Sequence, residues 1–184
     1  MHPDAWLVVV DPQRIFADAA SPWGSPMFPA IVDPVRRLAA AAPGHTVVTR
    51  WVPAAEPAGS WATYLEAWPF ADVPEDDRLL EVVPELRDLG DEVVSLPTFG
   101  KWGPALQAVT GPTPHLVLVG VSTDCCVVST ALAAADAGAT ITVVTDACAG
   151  SSPENHRAAM DVMALYPPQI TLASTAEVLG EDGA

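Results

Sequence analysis

Short apolar runs alternate with alanine-rich, polar-flecked stretches along the whole chain. The runs at 6–10, 46–51, 92–96, 116–119, 140–145 and 170–172 are nearly continuous in apolar or β-branched residues. That is the pattern of strands covered on both faces. Between them, helical periodicity predicts helices near 30–42, 78–89, 103–109, 124–137, 154–165 and 174–179. Gly138 follows an alanine run and reads as a helix stop. The alternation predicts an α/β domain of three layers, α/β/α, on a mainly parallel six-stranded sheet. One segment breaks the rhythm. Residues 52–74 carry four prolines together with Trp61, Tyr64, Trp68 and Phe70. A connection this long inside a compact domain is expected to line a pocket, a subunit contact, or both.

The chain of 184 residues suits a single domain spanning 1–184. Half of the residues are hydrophobic and 17% are charged, a globular rather than a disordered balance. Charge then narrows the partners. There are 23 acids against 8 bases, a net charge of −15. Such a surface repels phosphate backbones and anionic membranes, so the reading excludes nucleic acid and membrane as partners and leaves a small molecule. No apolar run is long enough to span a bilayer, and no basic leader precedes the first strand. Cys125, Cys126 and Cys148 are an odd set with two adjacent members, not a disulfide framework. A cytoplasmic location is the expectation. The eight bases comprise seven arginines and a single lysine, Lys101.

In open parallel sheets, ligands bind beyond the carboxyl ends of the strands. The polar residues just past the predicted strands are Asp11, Arg50 with Trp51, Lys101, the run from Ser122 to Cys126, and Asp146. A carboxylate, an ammonium and a thiol therefore fall at one end of the sheet. Thr123 or Asp124 reads as a helix N-cap, which puts Cys126 in the first helical turn. There the dipole and the free N–H groups lower a thiol's pKa from roughly 8.5 and can hold an oxyanion. Each residue also has a plain structural reading. A free cysteine is often just buried, an Asp before Pro often caps a turn, and a loop lysine needs no explanation. The conjunction points further: a carboxylate can take the thiol proton, and an ammonium can keep that carboxylate ionised.

These residues resemble a known family. Asp11-Pro12-Gln13-Arg14-Ile15-Phe16 resembles the D-x-Q-x-x-F motif of the isochorismatase-like cysteine hydrolases, which include nicotinamidases and N-carbamoylsarcosine amidohydrolases. Gly120-Val121-Ser122-Thr123-Asp124-Cys125-Cys126-Val127 is similar to their G-[VI]-x-T-[DN]-x-C-V nucleophile motif, and Lys101 follows Pro97-Thr98-Phe99-Gly100 where they carry a lysine. The resemblance spans about residues 5–173. It implies a Rossmann-like sheet in the order 3-2-1-4-5-6 and a Cys126, Asp11, Lys101 triad. It also implies a cis peptide between Val121 and Ser122, with an oxyanion hole from the Ser122 and Cys126 N–H groups. Family register makes the second cysteine the nucleophile, leaves Cys125 without a role and makes Cys148 structural.

Departures from the family carry information too. Nicotinamidases place an Asp-x-His metal pair after strand two, where this chain has Trp51 and Pro53. The histidines at 2, 45, 115 and 156 show no ligand spacing. No metal and no other cofactor is expected, and His156 reads as a helix-surface residue. A retained cysteine points to C–N bond hydrolysis of a small amide or N-carbamoyl compound through a Cys126 thioester. The alternatives are an isochorismatase-type or ester hydrolase, or a binding protein that kept the fold without turnover. A redox pair is the weakest reading, because such cysteines are spaced C-x-x-C. Candidates for the substrate pocket are Gln13, Phe16, Trp51, Trp68 and Trp102, with Trp23 and Trp61 behind them. Arg14 and Arg50 are the nearest cations for a substrate carboxylate. The resemblance also implies a homo-oligomer.

Overall fold

The computed structural model describes residues 1–181. Six strands form one sheet: β1 (Trp6–Val10), β2 (Thr46–Trp51), β3 (Glu92–Leu96), β4 (His115–Val121), β5 (Thr140–Ala149) and β6 (Ile170–Ala173). All neighbours are parallel, in the order β3-β2-β1-β4-β5-β6. Alternation along the central strands feeds two cores. Leu7 and Val9 of β1 face one way, with Val48, Val117 and Val119. Val8 and Val10 face the other, with Val47, Leu116 and Leu118. On the first face lies α2 (Phe28–Ala40), which presents Ile31, Val35 and Leu38 at helical spacing. The second face is covered by α4 (Pro104–Thr110), α5 (Val128–Asp136) and α6 (Pro153–Met163) through Leu106, Ala131, Ala134, Met160 and Met163. The result is the three-layer α/β/α arrangement. Among the described residues, no helix is long and apolar enough to cross a membrane.

The sequence pattern and the structure part company in three places. Residues 78–89 do not form a helix. A single 3₁₀ turn, Arg78–Leu80, is capped by Asp77; the chain is then extended through Glu81 and Val82 and turns over residues 84–88. Pro84 lacks the N–H a helix would need there. The freed backbone instead braces the loop after β1: Val82 pairs with Gln13, and the Val83 N–H donates to the Pro12 carbonyl at 2.9 Å. The aperiodic stretch 52–74 contains a helix, Ser60–Ala67, and a 3₁₀ turn, Pro69–Ala71. Strand β5 continues past Thr145 to Ala149 through an irregularity in its pairing with β4. Asp146 is therefore inside that strand. Its carboxylate accepts from the backbone N–H and the hydroxyl of Thr175 at the last helix, Thr175–Leu179, rather than sitting beside Asp11.

Two backbone features shape the carboxyl end of β1 and β4. A Cβ on Gly120 would meet the Val10 carbonyl oxygen at 2.2 Å, and Gly120 has φ of +109°. Only glycine lets the strands approach there. Asp11 has φ of +46°, the one positive value outside glycine among the described residues. A strained backbone of this kind tends to mark a functional position.

Candidate active site

Asp11 leaves the end of β1 and Lys101 stands in the loop after β3; both side chains are completely buried. Lys101 Nζ lies 3.1 Å from Asp11 Oδ2. The ammonium also donates to the Thr98 carbonyl at 2.6 Å. Asp11 Oδ1 accepts from the Thr49 hydroxyl at 2.7 Å. Oδ2 is buried and faces the Lys101 ammonium without a well-aligned hydrogen bond. Cys126 sits in a π-helical turn, Thr123–Val127, that leads into α5, and is 3% exposed. Its thiol interacts with the Asp11 carboxylate. Thr130, one helical turn on, joins the parts: its hydroxyl donates to the Cys126 carbonyl at 2.6 Å and accepts from the Lys101 N–H at 2.9 Å.

Electrostatics here depart from the sequence expectation of a helix-stabilised thiolate. Burial pushes the Cys126 thiol well above its ordinary range, and the Asp11 charge pushes it further; Lys101 only partly opposes them. Desolvation thus works against the thiolate that a helix terminus would favour. Burial also raises the Asp11 carboxyl, against the pull of Lys101 and Thr49. The centre therefore sets a thiol pushed toward its protonated form beside a carboxylate made a better base by burial and anchored by Lys101.

Above Cys126 opens a cavity of about 150 Å³, walled by Phe16, Trp23, Trp51, Tyr64 and Phe99, with Ser122, Cys125 and Ser151 at its polar side. The rings pack on one another. Trp23 meets Trp51 and Phe70 edge-on and lies 5.6 Å from Tyr64, which stands perpendicular to Phe99. Burial pushes the Tyr64 phenol up to about 12, so it lines the cavity uncharged. The Val121–Ser122 peptide is cis. Ser151 is tied to the turn that carries Cys126 by Asp124, whose carboxylate accepts from the Ser151 N–H and hydroxyl, both at 2.7 Å.

The family model of the Isochorismatase domain matches residues 5–177. The chain belongs to the isochorismatase family. Solved structures similar to it include a cysteine hydrolase from Pseudomonas syringae pv. phaseolicola 1448A, with a TM-score of 0.81 and 19% identity over 98% of this chain and 93% of that one. An isochorismatase-like hydrolase from Alkaliphilus metalliredigens gives a TM-score of 0.76 and 17% identity over 96% and 97%. A MAR1 ribonuclease from Caenorhabditis elegans gives 0.71 and 24% over 100% and 84%. At these identities the likeness is one of fold. No curated protein matches the chain.

On this isochorismatase fold, Asp11, Lys101 and Cys126 meet at one point, and Phe16 and Trp51 line the cavity above them. Four expected pocket residues lie elsewhere; Trp61 packs behind Tyr64 and Phe99. Gln13 is buried under the wall: its amide accepts from the Trp51 N–H at 2.7 Å and donates to the Trp51 and Leu80 carbonyls at 2.9 and 2.8 Å. Trp68 packs behind Trp23 and is 39% exposed. Trp102 packs against the core under α4 and α5. Arg14 and Arg50 do not line the cavity; they pair with Glu81 and Glu75. His156 is half-buried rather than on the helix surface, with Nδ1 2.9 Å from the Thr123 hydroxyl. Among the described residues, no cluster of His, Cys, Asp and Glu is arranged to hold a metal ion. Tyr64 comes from the 52–74 segment expected to line a pocket, whereas Thr49, Thr130, Phe99 and Ser151 escaped the sequence reading. Thr130 alone left a signal, its i+4 spacing from Cys126.

Proposed function

We propose that this isochorismatase-family chain is a cysteine hydrolase that cleaves the C–N bond of a small amide or N-carbamoyl compound through a Cys126 thioester. One observation carries the reading: a buried thiol lies beside a buried carboxylate that is ion-paired to a buried lysine, at the floor of an aromatic cavity. Asp11 takes the Cys126 proton as the sulfur attacks the carbonyl carbon. The tetrahedral oxyanion rests on the N–H groups of Ser122 and Cys126. Asp11 returns the proton to the leaving nitrogen and the C–N bond breaks, leaving the acyl group on sulfur. Asp11 then takes a proton from water as it attacks the thioester, and the thiol reforms as the acid departs. Lys101 holds Asp11 in place and balances its charge throughout.

The cavity also bears on the substrate. A space of about 150 Å³ suits an acyl group of roughly one benzene ring. Its wall offers no cation, because the nearby arginines are paired elsewhere. An uncharged acyl group fits this lining better than a carboxylate. Ammonia release from a panel of neutral and carboxylate-bearing amides and ureido compounds, wild type against Cys126→Ala, tests the reading. Turnover of neutral amides that disappears in Cys126→Ala supports it, and turnover that survives the substitution refutes it.

A further inference from the structure

A second cavity of about 220 Å³ lies beside the first, lined by Pro53, Pro57, Trp61, Leu65 and Pro97 among others. The two cavities share one residue, Trp51. Trp61, on the far side, packs on Tyr64 and Phe99 at 5.3 and 4.8 Å, and those two rings line the catalytic cavity. Trp51 is thus the one residue that borders both spaces, beside a second stretch of wall made by Trp61 against Tyr64 and Phe99.

That indole is held firmly. Trp51 is 2% exposed, and Trp23 meets it edge-on at 5.4 Å. Its backbone N–H and carbonyl are both bound by the fully buried Gln13 amide, so the end of β2 has no slack. A buried indole at the border of two largely apolar spaces is placed to act as a fixed partition.

We propose that Trp51 is a specificity-determining residue that limits the length of the acyl group, by closing the catalytic cavity off from the second one, with Gln13 as the residue that positions it. The proposal rests on the amidase reading for its activity assay. With Trp51 in place, the acyl group must fit the smaller space. With a smaller side chain there, a linear apolar chain can run on into the proline-lined space.

The test compares butanamide, hexanamide and octanamide with wild type, Trp51→Ala, Trp51→Leu and Trp51→Phe. Each variant is first checked for a native circular dichroism spectrum and cooperative melting, since losing a buried indole costs stability. Wild type is expected to discriminate against octanamide relative to butanamide by about tenfold or more in kcat/KM. Trp51→Leu, and Trp51→Ala if folded, are expected to abolish or reverse that preference, with Trp51→Phe between. An unchanged length profile in a folded variant overturns the proposal. Calorimetric binding of the same amides to Cys126→Ala, with and without Trp51→Leu, separates the two claims. A length preference in binding that Trp51→Leu reverses, without hydrolysis by any Cys126 protein, supports the partition and refutes the amidase reading. Hydrolysis with an unchanged profile does the opposite.

Discussion

Lys101 Nζ stands 3.1 Å from Asp11 Oδ2, and neither side chain touches solvent. Burying two charges together is costly, and breaking such a pair is costlier, because it strands the remaining charge. Asp11→Asn or Lys101→Met alone is expected to lower stability by about 3–5 kcal/mol. The double variant Asp11→Asn/Lys101→Met is expected to recover most of that loss while remaining inactive. Urea unfolding of the four proteins in a double-mutant cycle measures the coupling. Additive losses would show that the pair does not act as a unit.

Lys101→Arg keeps the charge and removes the only lysine in the chain. A guanidinium is larger and planar, and it has to fit where the ammonium reaches both Asp11 and the Thr98 carbonyl. Turnover is expected to fall by about a hundredfold or more, in line with loss of a positioned general-base partner. Steady-state ammonia release measures it. Near-wild-type kcat would mean that any cation serves.

Burial raises the Asp11 carboxyl above its ordinary range. The base form exists only above that raised value. The acid limb of kcat/KM is therefore expected above the ordinary Asp range of about 3.9, with activity falling as pH drops through it. Cys126 is pushed well upward. Its alkylation by iodoacetamide, followed by mass spectrometry in a Cys125→Ser background, is expected to keep rising with pH past about 8.5, the ordinary thiol value. A plateau below neutral pH would instead indicate a resting thiolate.

Gln13 satisfies three buried backbone groups, the N–H and carbonyl of Trp51 and the carbonyl of Leu80. Gln13→Met has similar bulk and leaves all three unpaired. Each unsatisfied buried group costs about 1–3 kcal/mol, so a loss of roughly 3 kcal/mol or more is expected in urea unfolding. A loss under about 1 kcal/mol would mean that water replaces the amide.

How far the sequence reaches is clearest at individual residues. The strands are legible because parallel strands buried on both faces are written as apolar runs, and β1 to β3 begin and end where the pattern places them. The sheet order follows from the family resemblance carried by the D-x-Q and cysteine motifs. Residues 78–89 mislead because their spacing looks helical while Pro84 and the needs of the Pro12–Gln13 loop decide otherwise. Asp146 misleads because an irregularity in β5 carries the strand end onward to Ala149. Gln13, Trp68 and Trp102 sit near the site in sequence, yet their side chains turn into the core or behind the wall. Tyr64 and Phe99 reach the cavity from segments far apart in the chain, and no periodicity announces such a meeting. The thiol's protonation depends on how deeply the turn is buried, which motif spacing does not encode.

Acyl transfer to Cys126 is the step on which the proposed reaction turns. Wild-type protein mixed with a slowly hydrolysed neutral amide and quenched early is the most direct measurement, with peptide mass spectrometry to locate the adduct. An acyl mass increment is expected on Cys126, absent in Cys126→Ala and retained in Cys125→Ser. An adduct on Cys125, or ammonia release with no adduct on either cysteine, would contradict it.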